Sequence, residues 1–167
     1  MSDIRIEVYR GDYSNDDVYQ NVLGYLANKA YLGGYGFSPN LPMTITEQFQ
    51  LSEQYSQIKQ DQKIWHFGIT FSYRWKHTDL LKLADDVSLF FSQSFQIMYA
   101  LDLKRDTGEN VPHLHFAVNA FSYHPDFPPL SREYMKVCMP KVQNYLCNKF
   151  DPLSVTLQFQ GKGKQDV

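Results

Sequence analysis

A chain of 167 residues is sized for one domain, long enough to bury a full core without disulfides. Acidic residues outnumber basic ones by 18 to 16, which excludes a general electrostatic attraction to nucleic acid, so any such binding needs a local patch. No N-terminal run reads as a signal peptide and no segment is apolar over a bilayer's width, so a cytoplasmic protein with no membrane partner is expected.

Ile4, Ile6 and Val8 alternate with Arg5, Glu7 and Tyr9, the period of a strand. Ser14-Asn15-Asp16-Asp17 resembles a capping box, opening a helix with Val18, Val22, Tyr25 and Leu26 on one stripe and an end near Lys29. Residues 32–42 are rich in glycine and proline and read as a loop. Thr44-x-x-Glu47 is a second capping box, expected to start a polar helix reaching about Gln60. Residues 63–73 form the clearest strand, with Trp65, Phe67, Ile69, Phe71 and Tyr73 on one face. His66, Gly68, Thr70 and Ser72 lie on the other. Thr78 is the expected cap of a long helix carrying Leu80, Leu81, Ala84, Val87, Phe90 and Phe91 at helical spacing. A strand over about 95–104 and a turn-rich segment then lead to a strand at 112–121. A further helix runs from about Ser131 to Phe150 and must be kinked or interrupted at Pro140. Its Cys138 and Cys147 read as reduced, buried thiols. Val155, Leu157 and Phe159 alternate in a last strand. The sum is an α+β domain over residues 1–160, with a central antiparallel sheet of about five strands, helices packed on it, and a flexible tail at 161–167.

Residues 112–119 carry the chemistry. As a strand they bury Leu114, Phe116 and Val118 on one side and place His113, His115, Ala117 and Asn119 on the other. Two imidazoles two residues apart can grip one cation, or can be polar residues of a half-buried sheet. A hairpin to the preceding strand brings Asp102 opposite or nearly opposite His113, as a third ligand or as a plain strand-end residue. Two imidazoles and one carboxylate with open positions suit Mn²⁺, Mg²⁺ or Zn²⁺. If its strand is a neighbour, His66 lies on the same polar side, and it reads equally as a partner of the ligands, a substrate contact or a buried structural histidine. Tyr25, from periodicity alone, reads as a core aromatic of its helix.

Four segments in order resemble the relaxases, the mobilisation endonucleases of the HUH superfamily that nick one DNA strand at an origin of transfer. Leu23-Gly24-Tyr25-Leu26-Ala27-Asn28 is similar to the family's helix bearing the nucleophilic tyrosine. Gly34-Tyr35-Gly36-Phe37-Ser38-Pro39 is similar to its next loop. Trp65-His66-Phe67-Gly68-Ile69-Thr70-Phe71-Ser72 is similar to its aromatic-His-x-x-x-Ser-Phe strand, and Pro112-His113-Leu114-His115-Phe116-Ala117-Val118-Asn119 to its metal-binding strand. Asp102 stands where relaxases usually carry a third histidine, and the chain stops after the catalytic core.

The resemblance implies nicking and rejoining of single-stranded DNA, with Tyr25 as nucleophile, His66 assisting, and His113, His115 and Asp102 holding a divalent metal. It also implies single-stranded DNA at an origin of transfer or replication as partner, beside accessory DNA-processing proteins. Tyr31, Tyr35 and Phe37 are candidates for stacking on bases. Lys104 and Arg105 are candidates for phosphate contacts, along with Lys29, Lys63, Arg74 and Lys76 near strand ends, and Asn119 joins the expected DNA-contacting set. Three other readings stay open: a relaxase-like single-stranded DNA-binding accessory protein without catalysis, a replication initiator of the same superfamily, and a nucleotide hydrolase of the histidine-triad type. The last lacks its nucleophile here, because Ala117 occupies the third histidine position.

Overall fold

The computed structural model describes residues 2–11, 13–41, 43–72, 75–103 and 112–161. The two-residue and 3.6-residue periods of the sequence become strands and helices in the order β1 (Ile4–Val8), α1 (Val18–Ala27), β2 (Tyr31–Tyr35), α2 (Ile45–Tyr55), β3 (Ile64–Phe71), α3 (His77–Ser88), β4 (Ile97–Asp102), β5 (His113–Asn119), α4 (Arg132–Lys149) and β6 (Val155–Phe159). The strands form one sheet in the order β2-β4-β5-β3-β1-β6. Every neighbouring pair is antiparallel except β1 and β6, which run parallel with Ile4 opposite Val155.

Helices pack on both faces of the sheet. On one, Ile6, Phe67, Leu101, Leu114 and Phe116 meet the apolar stripes of α3 and α4, among them Leu83, Val87, Met139 and Val142. On the other, Val18, Tyr19, Val22, Leu23 and Leu26 of α1 pack with Phe49 of α2 over Ile64, Met98, Ala100 and Ala117. Full burial of each large side chain stabilises by about 1.5–3 kcal/mol, so these two layers fix α1 against β4 and β5.

The α+β class is as expected, and several details differ. The sheet has six strands, and it is mixed rather than antiparallel throughout. The additional strand is β2, inside the expected glycine-rich loop. At Gly33 a Cβ would stand 2.2 Å from the Tyr99 Oη, so a bare backbone is what lets Tyr99 of β4 lie across its neighbour. Helix α2 ends at Tyr55 rather than near Gln60, and the Gln57 N–H donates to the Pro125 carbonyl instead. Its Thr44 box forms as expected, the hydroxyl accepting from the Glu47 N–H at 3.1 Å. At the first box, α1 begins only after Asp17, which makes no side-chain cap, while Asp16 pairs with Lys63 at 2.9 Å. Lys76, not Thr78, precedes α3, and that helix ends at Ser88, leaving Phe90 exposed while Phe91 is buried. Helix α4 runs through Pro140 without interruption, and its two cysteines are free and only partly buried. Lys104, Arg105, Tyr73 and Arg74 lie outside the described residues, as does the tail beyond Gly161.

Candidate metal centre

Directly opposed residues share a face, so strand register lays side chains in rows across the side covered by α1. One row reads Asp102, His113, Thr70, Arg5. The next reads Ala100, His115, Gly68, Glu7, and a third reads Met98, Ala117, His66. Asp102 is therefore paired with His113 across the β4–β5 hairpin. Ala100, Gly68 and Ala117 leave room between the imidazoles in these rows.

The His113 Nε2 lies 3.3 Å from the Asp102 Oδ2, and the His115 Nε2 lies 3.8 Å from the same oxygen. One donor atom from each of the three residues falls within 4.8 Å of the others. Ligands around a cation with bonds of 2.0–2.2 Å stand roughly 3–3.6 Å apart, so small side-chain adjustments close the set. The chemistry of the donors points the same way. The His115 Nε2 is buried and has no hydrogen-bond partner, a costly state for a polar atom unless something meets it there. Asp102, His113 and His115 thus fit a metal ion and leave further coordination positions open.

The other nitrogen of His115 is engaged: Nδ1 lies 3.2 Å from the His66 Nε2. With Nδ1–H donating to His66, the lone pair on Nε2 faces the carboxylate side, the tautomer a ligand requires. His66 is thereby a positioning residue for His115, and its Nε2 is already committed. Burial pushes both imidazoles toward the neutral form, His66 down to about 4 and His115 down to about 3, with the Lys29 charge adding to the effect at His66 and the neighbouring histidines at His115.

Tyr25 leaves the apolar stripe expected of it. Tyr19 and Leu23 take the buried places on α1, while Tyr25 is 42% exposed. Its ring stands edge-on to His115 with centroids 5.3 Å apart, and 5.8 Å from His66. The sheet thus brings Tyr25, His66, Asp102, His113 and His115 together.

Of the expected DNA contacts, Tyr31, Tyr35, Phe37 and Asn119 do not gather here. Tyr31 and Tyr35 share the face of Leu101 and Ile97, opposite the histidines. Tyr31 is exposed against His77, and Tyr35 is half-buried beside Asp85. Phe37 packs on Phe49 at 6.2 Å. Asn119 is fully buried: its amide donates to the Phe49 carbonyl and the Gln96 Oε1, and its oxygen accepts from the Phe121 N–H. It is a tie between β5 and α2, with no surface for a ligand.

Two further residues border the cluster, Tyr9, which was not among the expected site residues, and Lys29. Tyr9, just past β1, lays its ring 4.5 Å from His66 and 6.3 Å from His115; Gly68 makes room, because a Cβ there would stand 2.6 Å from the Tyr9 Oη. Burial raises the Tyr9 phenol to about 12. The signal was its place on the polar face of β1. Lys29, expected as a candidate phosphate contact, sets its Nζ 3.2 Å from the Asp102 Oδ2 and 4.1 Å above the Tyr25 ring.

Fold and cluster together define an α+β domain with a His-His-Asp site able to hold a metal ion. No family model matches the chain, and neither does any curated protein or solved structure. No helix among the described residues is long and apolar enough to cross a membrane.

Proposed function

We propose that this chain is a relaxase-like, metal-dependent enzyme that nicks and rejoins single-stranded DNA through a phosphotyrosine, in the transfer of a plasmid or other mobile element. The observation that carries this reading is the meeting of Tyr25 with the His-His-Asp cluster: an exposed helix-borne phenol 5.3 Å, ring to ring, from a buried imidazole whose Nε2 has no partner.

His113, His115 and Asp102 would hold the cation, and the mixed nitrogen and oxygen donors favour Mn²⁺ or Mg²⁺, with Zn²⁺ also compatible. When bound, a divalent ion neutralises charge on a non-bridging phosphate oxygen. The Tyr25 oxygen attacks phosphorus in line; an O–P bond forms, the P–O3′ bond breaks, and the strand leaves with a free 3′-hydroxyl. The phenolic proton departs to water at the exposed edge of Tyr25, and the leaving oxygen gains one. His66 holds the His115 tautomer throughout. The phosphotyrosine keeps the bond energy, so the 3′-hydroxyl can reverse the attack without a nucleotide cofactor. Arg5, exposed in the row of His113, together with exposed Thr156 and Gln158 on β6, gives the nucleic acid polar footing beside the site.

The test is incubation with randomised single-stranded oligonucleotides and Mn²⁺, followed by denaturing gels. A covalent adduct is expected with the natural chain and none with Tyr25→Phe; an adduct that persists in Tyr25→Phe removes the assignment. A second reading, single-stranded DNA binding without chemistry, is favoured by the grip of Lys29 on a would-be ligand. DNA binding with no adduct across several metals would select it.

A further inference from the structure

The ammonium of Lys29 and a metal ion would claim the same oxygen. Lys29 follows α1, with its backbone N–H donating to the carbonyl of fully buried Leu26 at 3.0 Å, so its stem starts from a fixed point. From there Nζ reaches 3.2 Å from the Asp102 Oδ2, the atom that also faces His113 at 3.3 Å and His115 at 3.8 Å. The pair is shielded, with the two side chains 18% and 13% exposed. The same Nζ lies 4.1 Å over the ring of Tyr25, which projects from the last turn of α1. One flexible cation thus stands between the candidate ligand and the candidate nucleophile.

We infer that Lys29 is an exchange cation: it neutralises Asp102 while the site is empty, and yields that carboxylate to the metal and moves to the Tyr25 oxygen when the site fills. Two cations cannot share Oδ2 closely, because like charges repel strongly in a shielded pocket. The lysine stem has four rotatable bonds, and the nearest alternative to Asp102 is the phenol it already overlies. Beside that oxygen, the ammonium offsets the negative charge that develops as the phenol loses its proton and meets the phosphate. It stays protonated and donates without transferring its proton. The metal thereby places a charge on the nucleophile that it does not itself touch. This inference rests on the nicking function for its second half only; the competition for Asp102 stands on the ion pair.

The experiment uses the full chain as wild type, Lys29→Met and Lys29→Arg, each checked for folding by circular dichroism. Mn²⁺ binding is titrated calorimetrically without DNA, and adduct formation is then timed at saturating Mn²⁺. Lys29→Met should bind Mn²⁺ roughly fivefold more tightly, as expected for loss of a competing cation, yet form adduct at least about tenfold more slowly. Lys29→Arg should restore the wild-type behaviour in both. A purely structural lysine would weaken both properties together. Unchanged or weaker Mn²⁺ binding in Lys29→Met overturns the exchange, and an undiminished adduct rate overturns the role at Tyr25. If the wild type forms no adduct, the nicking function falls, and the Mn²⁺ affinities alone uphold or overturn the competition.

Discussion

Acidification from pH 6.5 to about 4.5 should remove a large share of the protein's stability, and the cause is a pair of imidazoles kept neutral by burial. His66 is held down to about 4 and His115 to about 3, against an ordinary value of 6.5. Below pH 6.5 the unfolded chain takes up protons on both histidines that the folded chain refuses. Stability therefore falls as pH falls, beginning at the unfolded value and levelling only near the folded ones. Each pH unit costs about 1.36 kcal/mol per histidine, so two histidines over two units amount to roughly 5 kcal/mol. A domain of this size commonly has only about 5–15 kcal/mol in total. Urea unfolding at stepped pH, with EDTA present to remove metal-linked effects, reads the loss directly. His66→Gln should cut the slope by about half. A midpoint that stays flat from pH 6.5 to 5, or a His66→Gln variant with the full wild-type slope, would refute the burial of neutral imidazoles as its source.

Three other outcomes follow from named contacts. Asn119→Ala takes the acceptor from the Phe121 N–H and removes the amide tie to the Phe49 carbonyl and Gln96, and should cost about 1–3 kcal/mol in urea unfolding. Gly33→Ala drives a methyl to within 2.2 Å of the Tyr99 hydroxyl and should cost about 1–3 kcal/mol by the same measurement, recovered in part when Tyr99 is shortened to Leu. Mn²⁺ at about a hundred times its dissociation constant should add about 2.7 kcal/mol, a Tm rise of roughly 5–10 °C in calorimetry, and Asp102→Asn should abolish most of it.

What the sequence made legible depended on how far each cause lay along the chain. Strand β5 was plain because alternation is a local property, and the opposition of Asp102 and His113 followed from a short hairpin. The Thr44–Glu47 cap needed only three residues of separation. Strand β2 has no local signal because its glycines weaken any strand pattern; it forms by pairing with β4, more than sixty residues away, where Gly33 makes room for Tyr99. The parallel partnership of β1 and β6 was equally invisible, since it joins the two ends of the described chain through a crossover. Within α1, a stripe through Val18, Val22 and Leu26 can include either Tyr25 or Leu23. Only the position of the sheet decides that Leu23 goes in and Tyr25 stays out. Lys29 and Tyr9 were in plain view as residue types, but their importance lies in what they touch. Asn119 shows the converse: a polar residue in the right row whose partners, on α2 and in the following loop, draw it inward.

Ala100 and Ala117 form the bed on which α1 rests, and both are wholly covered. Their single methyl groups set how high that helix rides, and so how far the hydroxyl-bearing ring and the ammonium stand from the carboxylate below. A larger residue at either position would lift both groups together, widening their gaps to the sheet while leaving each participating atom chemically intact. The working distance of the site is thus gauged by two of the plainest side chains in the molecule, neither of which ever meets a ligand.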